Sequence, residues 1–525
     1  MSDIDYVTEF FPEQSPSLLS FACILNGYEP PALDRPYTYF ELGSGQGVTA
    51  NVLAAANPQA RFYAADFNPA HIAASRQLAA AAGLDNMTFL ESSFADLADG
   101  LVDLPAFDFI TLHGVYSWVN AENRRHILRF IGRYLKPGGV AYVSYNAMPG
   151  WTTTLPFQRL VLEHASLYPG SKHQQIEKMR GLMRALIDSK AAYFATNTSV
   201  NLHNYIDEAM DGDPGRSRYI AHEYMNHGWE PLYHVDVARA AEDAKLDYVG
   251  SAGLPWAFPE LYLTSRQRGF LDDIHDDGLR ETVKDYMKNT CFRKDIYVRG
   301  ARRMSPERQA QWLGRTGLAL TVLREKVTLK MKFPVRQYQA DEVVYGAVLD
   351  ALAAGPRTLP ELGALPALGG KSLADIARMA ALLIETGQAA IFFQTSADQD
   401  PEPARRLNNA IAELDAGYCV FAAPLLGSGV AAPLFQRLVH ASLTDPKSTA
   451  TTSMDIADQV LRQVEEQHQP LILHERELVT PEDKQREVRE TVKAILTRRR
   501  PFWQQLMMLR DDAAEPAVHD PAAAP

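Results

Sequence analysis

The sequence predicts an α/β protein: a doubly wound domain with a helical insertion, then a winged-helix-like module and a mostly helical C-terminal domain. Three observations carry this. Strand-like and helix-like segments alternate over the first 145 residues, a glycine loop joins the first strand to the first helix of that series, and the pattern changes after Trp151. Alternation of this kind implies right-handed βαβ units and a parallel sheet.

The elements follow in order. YTYFEL at 37–42 is a short β-type run, followed by the glycine loop and a helix to about Asn57. RFYAA at 61–65 is a second strand, Pro69 to Ala82 an alanine-rich helix, and Met87–Leu90 a third strand. FDFITL at 107–112 is a fourth strand. The stretch Asn120–Leu135 is helical, with Ile127, Leu128, Ile131 and Leu135 on one face. Lys136-Pro137-Gly138-Gly139 reads as a turn into a fifth strand, Val140–Tyr145. Residues 155–235 read as helical and irregular. LDYVGSA after a helix at Val237–Lys245, and KDIYVRG at 294–300, complete the first sheet late in the chain. The expected division is therefore 1–154 for the cofactor half of the core, 155–235 for an insertion over the active site and 236–302 for completion of the sheet. Beyond it come a middle module at 303–400, a C-terminal domain at 401–510 and a frayed tail at 511–525. The middle module shows three helices, near Asp341–Ala353, Leu359–Leu362 and Ser372–Thr386, and then AAIFFQ. Its third helix offers mainly Arg378 among apolar residues, so a packing or protein-contact role is expected rather than DNA reading.

Composition narrows the function. The chain of 525 residues has a formal net charge of -12, which speaks against a broad nucleic-acid footprint. Its three cysteines, Cys23, Cys291 and Cys419, are far apart and form no CxxC pair, as expected of reduced thiols in the cytoplasm. The start, MSDIDYVTEFFPEQ, lacks the positive charge and apolar core of a signal peptide. No run of about 18 apolar residues marks a transmembrane segment.

The most informative segment is Glu41-Leu-Gly43-Ser44-Gly45-Gln-Gly47. It lies at the carboxyl end of the first strand, where open α/β sheets bind ligands. Glycines let the chain turn sharply and let a ligand approach the backbone. The dinucleotide fingerprint requires a third glycine where Val48 stands, and no Gly-Lys-Ser/Thr follows, so dinucleotide and Walker A loops are excluded. Nineteen residues past Gly47, Asp66 ends the second strand, where a carboxylate can accept both ribose hydroxyls of an adenosine ligand. HEYMNH at 222–227 is no zinc HExxH motif, because His222 and His227, five residues apart, do not share a helix face. No metal is expected.

The pattern Glu-x-Gly-x-Gly-x-Gly, Asp66 and YLKPGGVAYVSY resemble class I, Rossmann-like S-adenosylmethionine-dependent methyltransferases. The resemblance implies S-adenosyl-L-methionine as cofactor. Glu41, Gly43, Ser44, Gly45 and Gly47 would surround its methionine part, Asp66 its ribose, and Phe67, Ser93 and Phe94 its adenine. The family often has an acid where Ser93 stands. His113 at the end of the fourth strand would face both cofactor and acceptor, and Tyr116, Trp118, Tyr145 and Asn146 are further acceptor-side candidates. The sequence after the fourth strand, Leu112-His113-Gly114-Val115, lacks the Asn/Asp-Pro-Pro-Tyr/Phe of base-methylating DNA enzymes.

The resemblance extends further. The opening DYVTEFFPEQSPSLLSFACILNGYEPP, then ITLHGVYSWV, SYNAMPGW, HEYMNHGWEPLYHVDVARAAEDAKLDYVGSA and CFRKDIYVRG, is similar to bacterial methyltransferases with a methyltransferase regulatory domain. These include rickettsial lysine methyltransferases of outer-membrane proteins. It implies N-methylation of lysine side chains on a protein substrate, and makes Tyr6 and Tyr28 lid contacts over the cofactor. A lysine acceptor has a reference pKa near 10.4, so taking it in neutral form costs about 4 kcal/mol. A dry aromatic wall lowers that cost and suits cationic groups. Two other functions stay open: methylation of a small molecule or envelope glycan, and a non-catalytic cofactor-binding regulator or scaffold.

Overall fold

The computed structural model describes residues 9–510 except 169, 211–224, 227, 333–336, 395–398, 415–416, 445–449, 451, 467–471, 474–475 and 479. Tyr6, His222, His227 and the tail 511–525 lie outside the described residues.

The sheet has seven strands: β1 (Thr38–Leu42), β2 (Arg61–Asp66), β3 (Met87–Glu91), β4 (Phe107–Leu112), β5 (Leu135–Asn146), β6 (Leu246–Ser251) and β7 (Phe292–Arg299). Their order is β3-β2-β1-β4-β5-β7-β6. The first five run parallel, and β7 is antiparallel to both its neighbours. The reversal at β7 has a functional consequence. It brings Phe292, the first residue of β7, opposite Asn146 at the carboxyl end of β5, where the ligand-binding loops lie.

The helices α1 (Pro16–Leu25), α2 (Val48–Ala56), α3 (Pro69–Ala81), α4 (Phe94–Asp99) and α5 (Ala121–Tyr134) accompany the first strands. Side-chain caps fix the starts of four of them, at Ser15, Asn68, Ser93 and Asn120. The start of α2 is different: its cap is Gly47 with φ +69, and a Cβ there would collide with Ser75. The glycine loop therefore runs straight into a helix N-terminus.

Lys136–Gly139 is not a free turn before β5. The ladder jumps from Phe107↔Leu135 to Phe109↔Val140, so these residues form a bulge inside an already paired strand. The insertion holds the helices Leu155–Leu167, Lys172–Asp188, Ala192–Thr196 and Val200–Met210, packed around Trp151, Met179 and Trp229 with Trp118 against them.

In the middle region the helices Glu342–Ala354, Leu359–Gly363 and Leu373–Glu385 pack with an antiparallel sheet of Arg357–Thr358, Thr316–Leu320 and Ala389–Phe393. The C-terminal region is less helical than its sequence reads. A buried hairpin, Val420–Ala423 with Ser428–Ala431, sits between its helices. Its short, mostly small and apolar strands carry no clear period. The last helix, Pro481–Gln505, runs through Arg498–Arg500, with Arg498 exposed and Arg500 buried.

This C-terminal region packs on the first domain. Leu407 and Ile411 of helix Glu402–Leu414 meet Val52, Ala56 and Leu78 of α2 and α3. Asn57 donates to the Gly427 carbonyl at 2.9 Å, and Arg406 to the Ala82 carbonyl at 2.9 Å.

Candidate functional site

The site forms where the glycine loop leaves β1. Gly43, Gly45 and Gly47 all have positive φ, a conformation that favours glycine. A Cβ on Gly43 would also lie 2.7 Å from Val115. Asp66 locks the loop from the neighbouring strand. Its Oδ2 accepts the Gly45 N–H at 3.0 Å, and its Oδ1 accepts the Asn68 N–H at 2.9 Å and meets His71 Nδ1 at 3.2 Å.

Glu41 is 4% exposed. Gln14 donates to its Oε1 at 3.0 Å, while its Oε2 and the nearby Ser44 Oγ are buried with no hydrogen-bond partner among the described residues. Burial pushes the Glu41 carboxyl up to about 8, and the negative charge of Asp66 acts the same way against the Gln14 hydrogen bond. Unpaired buried polar atoms cost free energy. A ligand ammonium at this floor would satisfy both atoms, which is the amino group expected of the methionine end.

His113 lies against this cleft, with Glu41, Gly43, Ser44 and Gly47 on its other walls. Its ring stacks on Phe11 at 4.0 Å between centroids and approaches Phe292 at 5.7 Å. Its Nδ1 meets the Tyr142 hydroxyl at 2.8 Å. Burial lowers its pKa to about 4, so the ring is neutral at physiological pH. The cleft encloses only about 20 Å³. Ligand sites of drug-like size run to about 300 Å³ and more, so this cleft has room only for a group as small as an ammonium.

The other expected residues divide. Phe67 is 75% exposed beside Asp66, an uncovered apolar surface where an adenine is expected. Ser93 caps α4 and donates to Asp96 Oδ2 at 2.8 Å, and Phe94 is half-buried against the core. Asn146 and Trp118 border the insertion: the Asn146 N–H donates to Ser117 Oγ at 3.0 Å, and Asn226 donates to the Trp118 carbonyl at 3.0 Å. Tyr116 and Tyr145 are not brought to His113. Both are core residues at 2% and 0% exposure, and the Tyr145 hydroxyl donates to Asp295 at 2.6 Å. For Tyr145 this follows from strand alternation, which turns Tyr142 and Tyr145 to opposite sides of the sheet.

Tyr28 is likewise no lid. It bridges to Arg303 past the far end of β7, and the Arg303 guanidinium lies 4.8 Å from its ring. The contacts over the cleft come from Phe11 and Gln14. Nothing local in the sequence marks them, since each meets its partner through the tertiary fold.

Residues 40–141 match the methyltransferase domain family and residues 216–299 the predicted methyltransferase regulatory domain. Among solved structures, PKMT2 from Rickettsia typhi in complex with AdoHcy aligns over 94% of this chain and 98% of its own, with a TM-score of 0.67 at 20% identity. The strand order, the glycine loop and these matches define a class I S-adenosylmethionine-dependent methyltransferase. An uncharacterized protein of Synechocystis is 36% identical over 444 residues, covering 83% of this chain and 86% of that protein. An uncharacterized protein of Rickettsia prowazekii is 26% identical over 224 residues, or 42% of this chain and 86% of that protein. The chain belongs to the family of the Synechocystis protein, and within it carries the methyltransferase and regulatory domains together.

Proposed function

We propose that this methyltransferase N-methylates lysine side chains of a protein substrate. The observation that carries this reading is the aromatic cluster at His113, built from Phe11, Phe292 and Tyr142 beside the glycine loop. When bound, S-adenosylmethionine supplies an activated methyl group. Glu41 and Ser44 would hold its amino group, Asp66 its ribose, and Phe67 its base.

The protein's remaining task is alignment and exclusion of water. The His113 corner serves both. Its neutral ring adds no positive charge next to a cationic donor, and its apolar walls favour the neutral form of an approaching amine. Trp118 and Asn146, at the border with the helical insertion, stand where an acceptor would enter. The whole-chain alignment with PKMT2 from Rickettsia typhi supports a protein acceptor.

The test is transfer of labelled methyl groups from the donor to lysine-rich proteins, with mass spectrometry of the product. Label on the lysine ε-amine is expected, and it should fall at least about tenfold in His113→Ala. Label confined to small molecules or envelope glycan would overturn the lysine reading. Tight donor binding with no transfer to any of these acceptors would point to a non-catalytic regulator.

A further inference from the structure

A second cavity, of about 350 Å³, lies at the edge of the sheet where β6 and β7 meet the helix Asp277–Lys288. Most of its lining falls within the segment matched to the regulatory domain, with Asn26 and Glu385 joining it from elsewhere in the chain. It is separate from the glycine loop, none of whose residues line it.

Its charged lining groups pair off almost completely. Lys284 bonds Glu281 at 2.5 Å. Arg293 bonds Asp285 at 2.7 Å and Asp295 at 2.8 Å. Lys294 bonds Glu13. One group of each sign makes no hydrogen bond to an opposite charge among the described residues. The Lys288 side chain is 10% exposed, and its nearest acid, Asp285, is 3.8 Å away, beyond hydrogen-bond reach. Its ammonium rests on the faces of Trp256 at 4.6 Å and Tyr262 at 5.7 Å, which supply attraction but no acceptor. Burial, reinforced by the Arg293 charge, holds it below the ordinary lysine pKa. Glu385, on the same lining, takes a hydrogen bond from the Leu254 backbone and has no cation within ion-pair distance among the described residues. Thr290 Oγ1, also on the lining, is buried with no hydrogen-bond partner among the described residues.

We propose that this cavity binds a free α-amino acid, its carboxylate on Lys288 and Thr290 and its ammonium on Glu385. A simple anion fits less well. The acids around the cavity, Glu13 and Asp285 included, are Glu13, Glu281, Asp285, Asp295 and Glu385, against four cations, Lys284, Lys288, Arg293 and Lys294, so adding a negative charge alone is opposed. A zwitterion satisfies both groups without changing the local charge. The indole of Trp256 and the ring of Tyr262 offer an apolar wall to its side chain.

The position bears on the methyltransferase site. The Thr290 carbonyl accepts the Gly150 N–H at 2.9 Å, and the Cys291 carbonyl accepts the Ala147 N–H and the Trp151 indole N–H, both at 2.8 Å. Phe292 is the ring that approaches His113. The wall of the second cavity is thus the support of the acceptor side of the first.

The test is calorimetry and thermal shift on the full chain with each of the standard amino acids in turn. Acetate and methylamine serve as single-charge controls. At least one amino acid should bind and raise Tm, and neither control should. Lys288→Met and Glu385→Gln should each weaken binding about tenfold or more, while Lys288→Arg retains most of it. Unchanged binding of S-adenosylmethionine shows that the variants are folded. Absence of binding by every amino acid, binding that survives both substitutions, or equal binding of acetate would overturn the proposal.

Discussion

Gln14 donates its side-chain amide to Glu41 across 27 residues of sequence, and thereby closes one oxygen of a buried carboxylate whose other oxygen has no hydrogen-bond partner among the described residues. The bond is one link in a chain. Thr111 Oγ1 donates to Gln14 Oε1 at 2.8 Å, and Tyr39 meets Thr111 at 2.7 Å. The N-terminal segment is therefore anchored to β1 and β4 at the point where the cofactor's amino group is expected.

This arrangement predicts proton release on donor binding. With a pKa of about 8 against an ordinary 4.5, Glu41 is mostly protonated in the free protein at neutral pH. An ammonium placed on Oε2 favours the ionised form. Calorimetry at pH 7 in two buffers of different ionisation enthalpy should show close to one proton released. Affinity should rise with pH, by up to ~tenfold per unit, and level off near pH 8. Binding with no proton exchange would sink the assignment of Glu41.

The same raised pKa makes a stability prediction. The native state binds the Glu41 proton more tightly than the unfolded chain, so stability falls as pH rises from 4.5 towards 8 and is level beyond. Glu41→Gln removes that penalty. The variant should be more stable than the parent by about 1–3 kcal/mol at pH 8 and equal to it near pH 4, while binding the donor about tenfold more weakly or worse. Urea midpoints at the two pH values check the first part, and calorimetry the second.

A buried network behind β5 should tolerate little. Arg293, 5% exposed, holds Asp285 and Asp295, each 1% exposed, and Asp295 also accepts from Tyr145 and pairs with His234. Burial alone would raise the Asp295 pKa, but Arg293 and then His234 hold it well below the usual carboxylate range. Arg293→Met strands two buried carboxylates and should cost about 3–5 kcal/mol. A depressed carboxylate pKa stabilises the fold above its unfolded value, and that contribution is lost as pH falls through the folded one. In the variant it is absent at neutral pH, so the loss should be greatest there and narrow as acid protonates Asp295. Denaturant melts at pH 7 and pH 4 measure it.

The sequence shows the cofactor half plainly because its signals are local. The loop Glu41–Gly47 needs glycine for its own backbone, and Asp66 ends a strand whose alternation with helices is visible at short range. The closing residues are invisible for the converse reason. Phe11 becomes a lid only by meeting His113, and Gln14 only by meeting Glu41. Tyr145 misleads because it lies one residue before Asn146 yet on the opposite face of its strand. The hairpin at 420–431 has strands too short and too uniformly buried to carry a period.

The contact between the C-terminal region and α2 was equally hidden, since Asn57 and Gly427 are 370 residues apart. It carries the last prediction. The helix α2 starts at Gly47, so whatever steadies it steadies the loop. Leu407, fully buried against α2 and α3, is a direct probe. Leu407→Ala should cost about 2–4 kcal/mol, the usual range for a buried leucine. If the contact supports the cofactor loop, donor affinity should fall as well. Leu349→Ala provides the comparison, because Leu349 is fully buried in the middle region on helix Glu342–Ala354. It should lose similar stability with donor affinity unchanged. Equal effects on affinity in the two variants would show that α2 responds to global stability alone, and the C-terminal region would then be a cover with no particular hold on the loop.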